Sequence, residues 1–261
     1  SGLGAALAGN LLARGVPVLG LARSRSAELA ITYPELIEEV TLDLADSVAL
    51  SGWLGSGALG DYLDGTGAVL LLNNAGVVSP VGPLDAQDPQ AVLRAVQLNV
   101  AAPMALAAAV VRASDGAQRR ILHISSGAGR NAYPGWSVYC ATKAALDQHA
   151  RAVALDCERG VRICSLAPGV IDTNMQAEIR ATPEDRFPMR KRFVDLKETG
   201  ALAEPDECAE RLVDYLLGAG FGAAVLRGNS VTSTGWPTRS SPGCSGSASI
   251  RKTSLERSSR L

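Results

Sequence analysis

Tyr139 and Lys143 lie four positions apart in an Ala-rich segment, Val138 to Cys157, whose composition and length are helical. One helical turn therefore puts a phenol and an ammonium on the same face, near the start of that helix. Thirteen positions before Tyr139, Ser126 follows the apolar run Ile121–Ile124, which reads as a buried strand. Gly127, Gly129 and Gly135 lie between, so a loop returning from the strand end can bring the Ser126 hydroxyl opposite the pair. Such a trio is equipped for proton transfer, because a nearby ammonium lowers a phenol's pKa toward neutrality and the hydroxyl can share the substrate oxygen. A bare Y-x-x-x-K is common in helices, with Tyr packed and Lys in water. The serine, strand and loop upstream are what give this spacing chemical meaning.

These residues need a scaffold, and the pattern of apolar runs supplies one. Strands are expected at Val16–Ala22, Glu39–Leu44, Val69–Leu72, Ile121–Ile124 and Val161–Leu166, with helical segments between them. That alternation implies an α/β protein, a doubly wound, mostly parallel sheet with helices on both faces and a ligand crevice at the strands' carboxyl ends. Residues 1–4, S-G-L-G, run directly into an Ala/Leu-rich helix ending near Arg14 and Gly15. Glycines admit a pyrophosphate close to the backbone, and the first N–H groups of the helix are free to meet it. Arg23 follows the first strand, with no acid beside it. In dinucleotide-binding folds an acid there holds a ribose 2′-hydroxyl and an arginine accommodates a 2′-phosphate, so NADPH is expected rather than NADH.

Further along, Asp46–Leu63 reads as one helix interrupted by glycines. Asp88 caps another, with Pro89 in its first turn, that runs to about Ser114 and carries Asn99 in its middle, where an amide is unfavourable. Residues 174–202 form a charged, helical flap broken at Pro183 and Pro188, expected to be mobile over a pocket. Glu204–Leu217 is the last amphipathic helix. From residue 222 Ser, Gly, Thr, Pro and Arg dominate, so 1–221 reads as the domain and 222–261 as a disordered tail without a final strand.

The serine, tyrosine and lysine have the spacing of the short-chain dehydrogenase/reductases, and from Ser1 to about Phe221 the sequence resembles that family. The resemblance makes S-G-L-G the tail of a phosphate loop G-x-x-x-G-x-G, with Gly2 and Gly4 as its second and third glycines and Ser1 and Leu3 beside them. It also implies that the first glycine and a preceding strand are missing, roughly ten residues, a strand that would lie between Val16–Ala22 and Val69–Leu72. It places Asp43 and Leu44 beside the adenine, and Asn74, Ala75 and Gly76 of N-N-A-G along the cofactor. Asn99 would support a helix kink and hold a water that relays protons to Lys143. In P-G-x-x-x-T, Pro168, Gly169, the Ile171 backbone and Thr173 would meet the nicotinamide carboxamide. The flap sequences narrow the resemblance to sepiapterin reductases and bacterial benzil-type diketone reductases. Ala128, Tyr133, Trp136, Val170 and Met175 would then line an apolar substrate pocket. The acid that anchors a pterin ring has no counterpart after Phe221, which favours a simpler diketone. Relatives commonly dimerise through the helix carrying the tyrosine, so a homodimer is possible.

Composition bounds the remaining choices. A chain of 261 residues with a net charge of −1 and no basic stripe argues against nucleic acid. No apolar run is expected to reach the ~20 residues that span a bilayer. Five scattered cysteines without a C-x-x-C pair, and two histidines, offer no metal-ligand cluster and suit a reducing cytoplasm. Two readings compete with a working reductase: a nucleotide-binding regulator on the same fold, and a reductase inactive for want of its first strand.

Overall fold

The computed structural model describes residues 2–156 and 160–228. It begins with α1 (Gly2–Ala13), β1 (Val18–Ala22), α2 (Ala27–Thr32), β2 (Ile37–Thr41), α3 (Ser47–Gly55), α4 (Ala58–Leu63) and β3 (Ala68–Asn73). There follow α5 (Pro89–Val96), a π-helical turn (Gln97–Ala101), α6 (Ala102–Ala113), β4 (Gln118–Ile124), α7 (Ser137–Leu155) and β5 (Val161–Ala167). The flap helices α8 (Asn174–Ala181) and α9 (Arg190–Glu198), then α10 (Pro205–Leu217) and β6 (Leu226–Gly228), complete it. All pairings between these strands are parallel, in two sheets: β1 with β2, and β3-β4-β5-β6 in that order.

Alternation along the strands explains the layers. Leu122 of β4 and Leu166 of β5 point to one face and pack with Leu3, Leu7 and Leu11 of α1 and Leu212 and Leu216 of α10. Ile121 and Ile163 point to the other and meet Ala107 of α6 and Ala150 of α7. The i, i+4 leucines of α1 are each almost wholly buried, a burial worth about 1.5–3 kcal/mol per side chain. Among the described residues no ladder joins β1 to β3. Leu19 and Leu71 nevertheless share an apolar cluster with Leu54 and Trp53, so helices bridge the two sheets.

Three expectations are corrected. The helix expected over Asp46–Leu63 is two helices, because Gly57 takes a left-handed φ of +89° between them. A final strand exists: β6 pairs with β5, Leu226 opposite Ser165, although a three-residue strand carries no readable periodicity. The ordered fold therefore passes residue 221, with Phe221 itself buried; residues 229–261 lie outside the described residues. Finally, Pro89–Ala113 is continuous and apolar enough to cross a membrane by length and composition. Its inner face, including Ala102, Pro103, Leu106, Ala107 and Val110, is packed in the core. Asp88 caps α5 by accepting from the Gln90 and Ala91 N–H groups, and Pro183 and Pro188 separate α8 from α9, both as expected.

Candidate active site

The strand ends gather the candidate residues. Register places Asn73 of β3 opposite His123 of β4, and His123 opposite Ser165 of β5, so the segments after these strands emerge on one edge. Ser126, two residues past β4, is extended, and its hydroxyl accepts from the Ala128 N–H at 3.2 Å while also hydrogen-bonding the Tyr139 phenol. Close approach of this loop to α7 depends on Gly129, where a Cβ would lie 2.9 Å from the Lys143 carbonyl carbon. Tyr139 and Lys143 are both buried on α7. The Lys143 ammonium donates to the Ile124 carbonyl at 2.9 Å and lies 5.7 Å from the centre of the Tyr139 ring.

Electrostatics differ from the sequence expectation. Burial pushes the Tyr139 phenol up to about 12; the Ser126 hydrogen bond pulls it down and Cys140 adds a small upward push. Burial also lowers Lys143 to about 8, against an upward pull from Asp147 one turn along. The ammonium therefore does not bring the phenol toward neutrality here: it is engaged with Ile124, and desolvation wins. Tyr139 is protonated at neutral pH.

Asn99 lies buried in the π-helical turn between α5 and α6. Its Oδ1 accepts from the Val77 N–H at 2.9 Å, and its Nδ2 donates to the Val77 carbonyl at 2.8 Å and to Thr142 Oγ1 at 3.1 Å. The amide thus clamps the loop that follows N-N-A-G. A Cβ on Gly76 would meet Asn99 Oδ1 at 3.2 Å and Lys143 Nζ at 3.5 Å, so the bare glycine backbone passes between the two.

The start of α1 adjoins the same edge. A Cβ on Gly4 would meet Asn74 Nδ2 at 2.8 Å, and one on Gly2 would meet Thr173 Cγ2 at 3.5 Å. Helix N–H groups, the Asn74–Gly76 backbone and the segment Pro168–Thr173 thus surround one cleft of small residues. That cradle fits the phosphates and nicotinamide end of a dinucleotide. Ser1 lies outside the described residues. Leu3 and Leu44 turn their side chains into the core, leaving only their backbone for a ligand. Ile171 is likewise buried, bridging Ala203, while Gly169 takes a φ of +96°. Arg23 is exposed at the end of β1. Asp43 accepts from the Ala45 N–H at 3.0 Å and pairs with Arg94 at 2.6 Å, and both interactions, with Arg23 nearby, lower its pKa.

All five substrate candidates join one apolar cluster with Tyr139: Ala128, Tyr133, Trp136, Val170 and Met175. Trp136 stands edge-on to Tyr139 at 5.4 Å and stacks on Phe187 at 4.6 Å. Phe187, Phe193 and Ile179 come from the flap and are buried. The flap is therefore docked over Tyr139 by an apolar underside, where its charged sequence suggested only a mobile cover. An open cavity of about 420 Å³ lies to one side, lined by Pro80, Val81, Glu178, Thr182 and Arg186, and does not include Tyr139. Sequence reasoning missed Phe187, Phe193, Thr142 and Arg94. Two apolar aromatics in a charged flap were a usable signal for the first pair; Arg94 and Thr142 depend on contacts between distant elements.

Parallel strands with helices on both faces, and a cleft at their carboxyl ends, define a Rossmann-type α/β fold. The chain belongs to the short chain dehydrogenase family, whose sequence profile matches residues 1–184. It is 35% identical over 223 residues to a benzil reductase ((S)-benzoin forming) from Bacillus cereus, covering 82% of this chain and 90% of that one. It is 34% identical over 230 residues to the sepiapterin reductase of Meriones unguiculatus, covering 82% and 87%. A solved short-chain dehydrogenase/reductase from Burkholderia vietnamiensis is 51% identical, with a TM-score of 0.64 over 86% of this chain and 90% of that one.

Proposed function

We propose that this chain is an NADPH-dependent carbonyl reductase that converts a 1,2-diketone to a hydroxyketone. The observation that carries the reading is the convergence of half-buried Ser126 with buried Tyr139 and Lys143 beneath an aromatic cluster at the end of β4. Gly2, Gly4 and the Asn74–Gly76 backbone would hold the phosphates and ribose, Asp43 and Leu44 the adenine, Arg23 the 2′-phosphate, and Pro168, Gly169, Ile171 and Thr173 the nicotinamide. That group supplies a hydride to the carbonyl carbon. Tyr139, protonated, gives its proton to the substrate oxygen as negative charge develops there, and Ser126 donates a hydrogen bond to the same oxygen. Lys143 would orient the ribose and return a proton toward Tyr139, with Asn99 holding the loop beside it.

Substrate class rests on the pocket and on the relatives. Trp136, Tyr133 and Met175, roofed by Phe187, form an apolar wall suited to a flat ring. Two relatives are a benzil reductase and a sepiapterin reductase; benzil is an aromatic 1,2-diketone, and that relative favours a diketone here. A reducing, cytoplasmic setting belongs to the same proposal, in keeping with the free thiols of Cys140, Cys164 and Cys208. So does a homodimer, supported by exposed Leu93 and Val96 on α5 and Leu155 on α7. Initial rates with NADPH on benzil, a simple monoketone and sepiapterin provide the test. Benzil should be fastest; strong preference for the monoketone or the pterin refutes the substrate assignment. Tight NADPH binding without turnover of any carbonyl would identify a regulator instead.

A further inference from the structure

Behind the site the only two histidines of the chain touch each other. Asn73 Nδ2, at the end of β3, faces the Pro103 carbonyl at 3.5 Å and His123 Nδ1 at 3.1 Å. His123 Nε2 in turn faces His149 Nδ1 at 3.0 Å. Chemistry fixes every proton in this chain. A carbonyl only accepts, so the Asn73 atom beside Pro103 is the NH₂, and its second hydrogen goes to a bare His123 Nδ1. His123 then carries its proton on Nε2 and gives it to a bare His149 Nδ1, leaving the His149 proton on Nε2. Every bond runs outward, from a buried amide through a wholly buried ring to a half-buried one.

We propose that Asn73, His123 and His149 form a proton-controlled latch that positions the 74–77 loop. Only His149 has access to water. A proton added to its Nδ1 sets N–H against N–H across 3.0 Å. His123 relieves that clash while keeping its contact to His149 by moving its own proton to Nδ1, which sets it against the Asn73 NH₂. The amide must then turn over, which sets its oxygen toward the Pro103 carbonyl, or lose its partner on β4. Asn73 is the root of the loop that holds Asn74 beside Gly4 and Gly76 between Asn99 and Lys143. Pro103, its other partner, sits in the first turn after the π-helical segment that carries Asn99.

The surroundings leave His149 as the controlling group. The charged groups acting on His123 are His149, Lys143 and Asp147, all on α7. Lys143 is held by Ile124, and Asp147 by Arg130 at 2.8 Å and Ser165 at 2.6 Å. The strand neighbours of His123 are uncharged Asn73 and Ser165, and α6 carries no charge before Arg112 at its far end. Burial, together with His149 and Lys143, holds His123 down to about 3, so it stays neutral while His149, lowered by burial alone, takes the first proton.

The latch's effect on ligand binding rests on the cofactor reading of this loop; the latch itself does not. Nitrogen-15 NMR of the full chain follows the two imidazoles and the Asn73 amide, with His149→Gln, which keeps an acceptor but cannot be charged, as the comparison. Both rings should be Nε2–H tautomers at neutral pH, and the Asn73 amide should shift in step with the His149 titration. In His149→Gln that amide should stay fixed, and a titrated NADPH or NADH should lose less affinity on acidification to about pH 5 than it does with the unaltered chain. An Nδ1–H tautomer on either ring, or an Asn73 amide indifferent to His149, overturns the latch. Equal acid loss of cofactor in both proteins overturns its positioning role. Absence of cofactor binding at every pH counts against the cofactor reading, and the tautomers and amide shifts then decide the latch.

Discussion

A phenol pushed up to about 12 is a proton donor held in reserve, and its removal is the sharpest residue-scale test. Tyr139→Phe keeps the ring in its aromatic cluster and deletes only the acidic proton. Turnover is expected to fall by at least ~10²-fold, with cofactor affinity nearly unchanged in a fluorescence titration. Near-normal turnover would remove Tyr139 from the chemistry. The proposed preference for NADPH is also tested at a single residue. Arg23 is exposed and shares its surroundings with Asp43, which Arg94 already neutralises. Arg23 is therefore free to meet a 2′-phosphate. Arg23→Ala should weaken NADPH by about 1.5–3 kcal/mol, the worth of a charge-assisted hydrogen bond, and leave NADH alone. Equal losses for both cofactors would assign Arg23 to packing.

Among the elements, the flap and the loop preceding α7 are bound together by backbone contact. Gly135 has a φ of +77°, its carbonyl accepts from the Gly82 N–H at 2.9 Å, and a Cβ on it would stand 2.4 Å from the Arg186 carbonyl oxygen. Arg186 immediately precedes Phe187, the residue that stacks on Trp136. Gly135→Ala therefore combines backbone strain with a clash against main chain that cannot swing aside. It should cost on the order of 2–5 kcal/mol in chemical denaturation and raise KM more than it lowers kcat, because the roof over Tyr139 lifts. Gly57→Ala has a similar positive φ but open space around it, so it should cost only the strain. If the two variants lose stability equally and KM is unmoved, the flap contact is incidental.

At the scale of the whole molecule, the strands form two sheets. Among the described residues β1 and β3 each leave one edge without a ladder, while α3 and α4 side chains tie the two sheets from one face. A chain extended upstream of Ser1 by an apolar strand and a T-G-x-x turn has a site for that strand between these edges. It should melt at a higher temperature and bind NADPH more tightly. If the chain as it stands already binds at micromolar levels and the extension changes nothing, the open edges matter less than this. Acid should weaken the whole fold as well. His123 and His149 both have folded pKa values below their unfolded value of about 6.5. The unfolded chain then binds more protons between that value and about 3, so stability is complete above ~6.5 and declines as pH falls. Melting temperatures from neutral to acid pH should show the decline, and His149→Gln should reduce it.

Local pattern was enough for much of this protein. Apolar runs of strand length between helical segments determined the parallel α/β fold, and Asp88-Pro89 and the two flap prolines marked where elements begin and break, whereas which of four glycines divides residues 46–63 was not legible. The i, i+4 spacing of Tyr139 and Lys143 placed them on one buried face, since helical geometry depends on nothing beyond the helix. Ser126 was legible because a strand end fixes where it starts and three glycines let the following loop turn back toward the helix. Tertiary structure alone decided the rest. Phe187 and Phe193 became the roof over Tyr139 only when the flap docked, Arg94 met Asp43 across 51 positions of sequence, and Leu226–Gly228 became a strand only because β5 offered an edge. The charge states were likewise beyond reach. Spacing shows that an ammonium can stand near a phenol, but how much water remains around each is set by packing from elements far apart in the chain. In this fold that desolvation outweighs their attraction.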